Sequence, residues 1–367
     1  MSKLTIEFLG SRDVAAVASI WQELETAVGN GVISCSWDWT ASWLKHYGDI
    51  VFHRFAIGKR SGNVCAMALI TRHIQRRGPF KIKTLSLGTT GEGEHESVCV
   101  QYNQFLSLPE ERFPFAEALL AELENDKDWD AVNLEGFEEE SVSAFLQAEP
   151  RFQIEYRISR LFDFSKAGPS AILLQAMGKT TRKKVEYSLR KLGAVTSEWA
   201  ATLPAAEDIF KDLVDLHQKR WISAGKSGCF SSDRFRRFHQ EFIRICFSKK
   251  NILLFRVKSG RELLGCLYGF IENNKVRLYQ SGFAIMDDNK IAPGYVGHYL
   301  CMEHCRGIGI AEYDLLVGDM YYKELFSNSE RDMIWATLRR PRVKFQVIDR
   351  LVNLKRLMKP PVTEEVS

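Results

Sequence analysis

The sequence lacks several features that would place it in a common class of protein. No apolar run reaches the 18 or so residues that suggest a membrane-spanning helix. Residues 1–10 have no apolar signal-peptide core, and Glu7 lies within them. The eight cysteines are scattered and form no Cys-x-x-Cys pair, so we expect reduced core thiols. These absences predict a cytoplasmic protein.

Two common catalytic motifs are also missing. The Gly-rich stretch 88–96 is not followed by the Lys-Ser/Thr pair of a phosphate-binding loop. Its acids Glu92, Glu94 and Glu96 would repel phosphate, and they could either attract a cationic amine acceptor or lie on a mobile surface loop. No Gly-x-Ser-x-Gly is present, which argues against a serine hydrolase.

The composition indicates an ordinary globular chain with room for two domains. The chain has 367 residues, of which 45% are hydrophobic and 26% charged. A net charge of only +4 argues against a general polyanion binder. We expect an α/β (α+β) fold with two tandem halves, each a mixed sheet flanked by helices. The expected boundaries are 1–165, 166–340 and a basic C-terminal segment, 341–367, with a linker at 166–170.

The stretch from Asn274 to Phe326 organises the chain. Residues 275–283 alternate like a strand, and a polar loop precedes a helix that opens at Pro293-Gly294 and stops near Gly307. The apolar run 313–317 follows at once. Strand, helix, strand is a βαβ crossover, which normally gives two parallel neighbouring strands. Ligands bind at the carboxyl ends of such strands, where Asp319, Tyr322 and Lys323 crowd together.

The order of these residues resembles a known family. Pro293-Gly294, the apolar helix, Asp314, Asp319 and the Tyr322-Lys323 pair are similar to the last third of the CelD/FemAB-like branch of the GNAT acyltransferases. The Trp-rich segment 36–48, the basic run near residue 182 and the segment 217–221 resemble its opening and middle. The resemblance spans roughly residues 30–330.

This resemblance implies two GNAT-like halves and an acyltransferase. The donor would be an acyl-CoA such as acetyl-CoA, and the acceptor a small or sugar-linked molecule carrying an amine or, less often, a hydroxyl. The implied setting is polysaccharide or cell-envelope biosynthesis. The candidate catalytic residues are Lys323, Tyr322 and Asp314. Lys323 would stabilise the oxyanion, whereas Asp314 is either a general base or, as we favour, a structural partner.

Other residues are candidates for binding. The substrate would contact residues of the strand, of the helix near 217 and of the second strand's end: Tyr279, Gln280, Ser281, His217, Arg220, Trp221 and Asp319. Each could instead be a packing or surface residue. The cofactor would contact the helix start at Pro293, Gly294 and Tyr295, although the usual GNAT pyrophosphate loop is absent.

Three further interpretations concern metals and other functions. His298, Cys301 and Cys305 share a helix face but fall short of the four ligands of a structural zinc, so we expect no metal. An aminoacyl-tRNA-dependent ligase is the rival on the same fold, and it would need the basic helix expected at 171–191 to form a path into the cleft. A non-catalytic scaffold with a plugged cleft is the other rival. We expect no nucleic-acid partner.

The segment from Arg339 to Lys359, with eight basic residues and one acid, carries the positive balance of the chain. The expected helix 343–358 has an apolar stripe between basic flanks. That stripe either docks on the second half or rests on anionic lipid, so residues 342–359 are a possible peripheral membrane contact at the inner face of the membrane. The oligomeric state cannot be predicted from the sequence.

Overall fold

The computed structural model describes residues 2–29, 31–168 and 172–358. Positions 169 and 170 of the expected linker, and the expected frayed tail 360–367, lie outside the described residues.

The described residues form thirteen strands and eleven α-helices. The strands are β1 (Thr5–Leu9), β2 (Phe52–Arg60), β3 (Asn63–Arg77), β4 (Phe80–Leu87), β5 (Leu106–Ser107), β6 (Ala131–Glu138), β7 (Gln153–Asp163), β8 (Val195–Trp199), β9 (Ile252–Ser259), β10 (Glu262–Glu272), β11 (Lys275–Phe283), β12 (Glu312–Val317) and β13 (Ser329–Arg339). The helices are α1 (Val14–Val28), α2 (Trp37–Tyr47), α3 (Arg112–Asn125), α4 (Glu139–Ala148), α5 (Leu173–Ala176), α6 (Lys179–Leu192), α7 (Leu203–Ser223), α8 (Asp233–Cys246), α9 (Pro293–Gly307), α10 (Tyr321–Leu325) and α11 (Val343–Met358).

The strands form one mixed sheet in which the two halves exchange a strand. The order is β1-β2-β3-β4-β6-β13-β7-β12-β11-β10-β9-β8, with β5 attached to β3. Strand β13, the last of the described strands, lies between β6 and β7, whereas β7 also pairs with β12. Neither half therefore completes its sheet alone. The expected boundary at residue 166 stays a prediction, since the exchange alone does not fix where one unit ends.

Helices cover both sides of the sheet, but in different ways. On one side α1, α2, α7 and α8 build a single apolar layer that is common to both halves, and α2 packs directly on α8. On the other side α3 and α4 cover the first half, while α6 and α9 cover the second. Between these two groups, β7 leaves Ile154, Tyr156 and Ile158 exposed.

The predicted α/β fold is confirmed, and so is its central βαβ unit. Strand β11 has the predicted bounds, α9 begins at Pro293, and β11 and β12 are parallel neighbours. The helix predicted over 171–191 is wrong in part, because its described part breaks into α5 and α6 where Met177 adopts an extended backbone. The sequence analysis did not identify β7, β8, β13 or α4.

The basic C-terminal segment docks on the first half rather than on the second. Phe345 and Ile348 of α11 bury themselves against Ile82 and Ala131. Arg340 donates to the carbonyl oxygens of the last turn of α3 and of the loop after it, at 2.8–3.1 Å. Lys344 and Arg342 likewise pair with residues of the first half.

The lipid contact of residues 342–359 stays a prediction. Val343, Val347 and Leu351 of the expected apolar stripe are exposed, whereas Ile348 is buried. Among the described helices, none combines the length and the apolar character that crossing a membrane requires.

Arg340 should contribute measurably to stability. Its guanidinium donates hydrogen bonds to carbonyl oxygens at the C-terminal end of α3. It also stacks on Trp129, with its central carbon 4.0 Å from the ring centre. We expect Arg340→Met to lower the free energy of unfolding by about 1.5–3 kcal/mol, measured by urea denaturation. Arg350→Met, at an exposed position of α11, is the matched control and should change it by less than about 0.5 kcal/mol. Equal effects from both substitutions would contradict this role.

Candidate functional site

A cleft of about 890 Å³ opens where β12 stops beside β7. Strand β12 pairs with β7 only as far as Val317 and Ser159. Beyond that point the edge of β7 at 155–158 faces the cleft, together with the turn 317–321 after β12. The loop 97–103 of the first half supplies the remaining wall. The site is therefore built from both halves.

The parallel strands β11 and β12 separate before they reach this cleft. They remain paired over only three residues, ending at Arg277 and Asp314. Beyond this point β11 continues to Phe283, and α7 packs closely on its Gly282, where a β-carbon would lie 2.8 Å from the Leu213 carbonyl oxygen. The separation leaves space between the carboxyl ends of the two strands, the usual place for a ligand in an open α/β sheet.

Asp314 is fully buried and both of its carboxylate oxygens are occupied. Oδ1 accepts from the Ser159 hydroxyl and the Leu316 N–H, each at 2.7 Å. Oδ2 accepts from Arg277 at 2.8 Å and from the Tyr102 hydroxyl. These donors leave no lone pair directed at a substrate, so the geometry favours the structural role over the general base.

Lys323 is also buried, with 8% of its surface exposed. Its Nζ donates to the carbonyl oxygens of Leu316 and Val317 at 3.1 and 2.9 Å. Leu316 has a φ of +62°, a left-handed conformation that is strained for a branched residue. The ammonium thus stabilises the turn at the end of β12 through two hydrogen bonds. Its third N–H is left for another partner. Burial lowers the pKa of Lys323 to about 8.

Asp319 and Tyr322 take different positions around Lys323. Asp319 is exposed and lines the cleft. The Tyr322 ring stacks on His298 at 5.1 Å, and burial raises the pKa of its phenol to about 12. A neutral phenol can donate a hydrogen bond to a developing oxyanion or return a proton to a leaving group. The catalytic roles of Lys323 and Tyr322 stay predictions.

The three strand candidates are all half-buried, but only Tyr279 belongs to an aromatic cluster. Tyr279 packs in an aromatic cluster, and its hydroxyl donates to the Val98 carbonyl oxygen at 2.7 Å. This hydrogen bond fixes the loop 97–103 against β11. Gln280 and Ser281 are half-buried further along β11.

The helix candidates cluster at the end of α7. His217 is buried, its Nδ1 lies 3.1 Å from Gln218 Oε1, and burial lowers its pKa. Its ring lies 5.6 Å from that of Trp221. Arg220 is exposed and close enough to Tyr322 to lower the pKa of that phenol.

The start of α9 has the surroundings expected of an anion site. Pro293, Gly294 and Tyr295 form its first turn, and the Lys184 ammonium of α6 lies 4.7 Å from the Tyr295 ring. The Ala292 N–H is already taken by Ser188 Oγ at 3.0 Å. The chemistry of this corner fits phosphate, and its role in cofactor binding stays a prediction.

The described residues contain no group of three or more His, Cys, Asp or Glu side chains placed to hold a metal ion. His298, Cys301 and Cys305 are buried core residues, and His298 Nδ1 lies 3.2 Å from the Tyr313 hydroxyl oxygen.

Sequence reasoning missed the contribution of the loop 97–103 in the first half. Gln101 accepts the Val317 N–H at 2.9 Å, and Asn103 closes the space between β4 and β6 by donating to the carbonyl oxygens of Leu87 and Glu135. No local pattern predicts these contacts. Strand β7 could have been found, because 153–159 alternates polar and apolar residues.

Comparisons with known proteins agree with this architecture. Residues 179–324 match the model of a family described as an acetyltransferase (GNAT) domain. No match was found among curated proteins. The structure of FemX is similar with a TM-score of 0.55 and 12% identity, covering 94% of this chain and 100% of FemX.

Two other solved structures have the same arrangement. The C-terminal domain of a putative lysylphosphatidylglycerol synthetase from Agrobacterium fabrum has a TM-score of 0.54 and 12% identity, over 94% of this chain and 97% of that one. A tandem GNAT protein from the clavulanic acid biosynthesis pathway has a TM-score of 0.50 and 11% identity, over 92% and 98%. The chain therefore has the tandem GNAT fold, with an acetyltransferase-type domain in its second half.

Replacing Asp314 should destabilise the protein strongly. Asp314→Asn keeps the shape but removes the charge that balances the buried Arg277, and breaking a buried ion pair typically costs about 3–5 kcal/mol. Urea denaturation should show a loss of that order. Asp319→Asn, which alters an exposed carboxylate in the cleft wall, is the control and should change stability by less than about 0.5 kcal/mol. A loss as small as the control's would show that Asp314 is not a structural centre.

Lys323 should make stability rise with pH above about pH 8. Its folded pKa, about 8, lies below the usual value of about 10.4. Between these two values the unfolded chain binds more protons than the folded one, so the free energy of unfolding increases with pH, by about 1–3 kcal/mol.

The measurement is urea denaturation at several pH values from 7.5 to 9.5. Lys323→Met should lose the rise that the unaltered protein shows. Parallel pH profiles for the two proteins would contradict the lowered pKa of Lys323.

Proposed function

We propose that this chain, an acyltransferase with a GNAT domain, transfers an acetyl or other acyl group from acyl-CoA to an amine, or less often a hydroxyl, of a sugar- or amino-acid-derived acceptor. The observation that carries the proposal is the separation of β11 and β12 beside the start of α9, within the segment that matches the GNAT domain. Such a space admits an extended thioester arm, while the helix start and Lys184 suit its phosphates.

The reaction needs no covalent intermediate. A neutral amine attacks the thioester carbonyl, the new C–N bond forms as the C–S bond breaks, and the amine proton passes to the departing thiolate. Holding the two substrates together supplies much of the rate. The third donor of Lys323 and the Tyr322 hydroxyl are the groups we assign to the oxyanion and the leaving group.

The proposal also covers the pathway of the acceptor and the location of the protein in the cell. The resemblance to the CelD/FemAB-like branch supports an acceptor from polysaccharide or cell-envelope biosynthesis. A cytoplasmic location, with peripheral contact to the inner face of the membrane through residues 342–359, would suit that role.

An aminoacyl-tRNA-dependent ligase is the second candidate. The observation in its favour is the exposed basic face of α6, which carries Lys179, Lys183, Lys184, Arg190 and Lys191. A tRNA would engage many such residues, and its affinity would fall steeply with salt, whereas CoA needs only one or two. A scaffold without activity is the third candidate, and it would require a closed cleft.

Calorimetric titration with CoA tests the donor. We expect binding by the unaltered protein and affinity about tenfold weaker for Lys184→Met, since a hydrogen bond to a charged group typically contributes about 1.5–3 kcal/mol. Lys211→Met, an exposed position of α7 away from this corner, should bind CoA normally.

A gel-shift assay with total tRNA completes the test. We expect no retained tRNA at physiological salt. Salt-sensitive tRNA binding combined with no CoA binding would replace our proposal by the ligase.

A further inference from the structure

Strand β7 has an unpaired edge inside the cleft. Strand β12 pairs with this edge from Asp163 only as far as Ser159, and among the described strands no other one pairs with residues 153–158 on that side. The opposite edge of the same segment is paired with β13 along its whole length. The open edge spans six residues, 153–158, which is about 20 Å at about 3.4 Å per residue.

The backbone groups on this edge belong to the even-numbered residues. Successive residues of a strand direct their N–H and C=O groups to opposite edges. The Phe164 N–H donates at 3.0 Å to the carbonyl oxygen just before β12, whereas the Leu161 carbonyl oxygen accepts at 3.1 Å from the N–H just before β13. The β7–β13 register runs without a shift. Ile154 and Tyr156 therefore direct their N–H and C=O groups into the cleft, and the described residues supply no partner for them.

The cleft runs along this edge rather than over one face of the sheet. Its lining includes Tyr156 and Ile158, whose side chains leave one face of β7, and Arg157, whose side chain leaves the other. On the first face Ile154, Tyr156 and Ile158 form an apolar stripe that is 42–59% exposed. On the second face Arg157 pairs with Glu155 at 2.8 Å. An added strand would extend both of these surfaces.

A strained turn keeps β12 away from the open edge. The pairing with β7 shifts register between Asp314 and Val317, and the left-handed Leu316 lies at this irregularity. Lys323 holds the Leu316 carbonyl oxygen at 3.1 Å. Bulges that end pairing are common next to active sites, and strained backbone persists only where its surroundings over-determine it. Regular pairing beyond Val317 would have let β12 cover the edge that the structure holds open.

The shape of the cleft favours a single extended chain as the occupant. The loop 97–103 and the turn 317–321 also line the space, so the edge faces a bounded cleft of about 890 Å³ rather than an open surface. A second copy of this protein would have to bring a whole sheet into that space. One peptide needs only the spacing of about 4.8 Å between neighbouring strands. Its alternating N–H and C=O groups complement those of the edge.

We propose that the acceptor is an extended peptide that adds to β7 as an antiparallel strand and presents its N-terminal amine to the end of β12. The inference rests on the proposed acyl transfer and names the class of its acceptor. Strand β12 is itself antiparallel to β7 and stops at Val317. A peptide that continues the line of β12 in the same direction has its N-terminus beside Val317 and the turn that Lys323 stabilises.

The chemistry of an N-terminal amine suits this reaction. Its ordinary pKa is about 7.7–8.0, against about 10.4 for a lysine side chain, so far more of it is the neutral form that attacks a thioester. The terminal nitrogen forms an amide bond with the acyl carbon as the C–S bond breaks, and the amine proton leaves with the thiol.

Cross-strand pairs predict a sequence preference for the peptide. The peptide residues opposite Tyr156 and Ile154 should be apolar, and the residue between them, opposite Glu155, should be basic. The amidated pentapeptide Ala-Val-Lys-Val-Thr meets this pattern when its first residue lies opposite Arg157, beside the end of β12.

Fluorescence anisotropy with this pentapeptide, labelled at its C-terminus, tests strand addition without CoA. The N–H groups of its second and fourth residues would face β7, whereas that of its third residue would face away. We expect N-methylation of the fourth residue to weaken binding about fivefold, the effect of losing one hydrogen bond. N-methylation of the third residue should leave binding unchanged. Replacing the lysine of the peptide by glutamate should weaken binding, because the new carboxylate would lie opposite Glu155.

Tyr156→Pro and Tyr156→Ala separate the backbone from the side chain. Both substitutions remove the phenol ring, but only proline removes the N–H, and proline is tolerated at an unpaired strand edge. We expect the proline variant to bind the peptide about fivefold more weakly than the alanine variant, at an equal melting temperature. If the proline variant does not fold, the comparison of the two N-methylated peptides on the unaltered protein decides.

Two results would overturn strand addition. One is the absence of binding at millimolar peptide, and the other is an equal loss of affinity from the two N-methylated peptides. The orientation is tested by mass spectrometry after incubation with acetyl-CoA, since the peptide carries both an N-terminal and a lysine amine. Acetylation of the lysine alone would overturn the proposed direction of the peptide.

The same assays separate this inference from the proposed function. Peptide binding that follows the N-methylation pattern, without CoA binding or acetylation, would refute the acyl-CoA donor and leave the peptide site standing. CoA binding without any peptide binding would do the reverse.

Discussion

The buried carboxylate of Asp314 holds the two halves of this protein in register. It accepts hydrogen bonds from Ser159 and Tyr102 of the first half and from Arg277 of the second. The Arg277 guanidinium also lies 3.1 Å from the centre of the Tyr102 ring and pairs with Glu272. A buried charge is tolerated only when it is paired and fully hydrogen-bonded. The network therefore specifies one position for the loop 97–103 over β11 and β12.

The strand exchange gives this network its geometry. Because β7 crosses from the first half to pair with β12, Ser159 arrives beside Asp314. Because β13 returns to pair with β6, Arg331 reaches the same network from the other side, where it pairs with Glu312 at 2.8 Å. The cleft is what remains where β12 ends and β7 continues. Its shape thus depends on two strands that each lie in the other half's sheet.

The candidate site has a strained backbone at the end of β12, and two side chains stabilise it by hydrogen bonds. Leu316 adopts a left-handed backbone, and its N–H and carbonyl oxygen are held by Asp314 and Lys323. Strained backbone persists only where its surroundings over-determine it, and it concentrates at functional sites. Lys323 therefore has a structural task whether or not its third donor serves the reaction. Tyr322 and Asp319, its neighbours in sequence, point to different surroundings.

Local patterns in the sequence were enough to predict the central βαβ unit of the second half and the helix α11 that follows it along the chain. The alternation of β11, the Pro-Gly start of α9 and the 3.6-residue period of α11 are each encoded within about fifteen residues, so the sequence predicts them directly. The order of residues at 293–323 also carried the resemblance to GNAT acyltransferases. The chain thus determines its fold class and its chemical class through short-range signals.

Only the tertiary structure decided which side chains share the cleft. Tyr102 and Asp314 are 212 residues apart along the chain, and no periodicity links them. Asn103 and Glu135 lie in the wall of one cleft only after folding. Their positions depend on the packing of the loop 97–103 against β4 and β6 rather than on their neighbours in sequence. The docking of α11 on the first half has the same origin, since Ile82 and Asp130 had to be brought to it by the sheet.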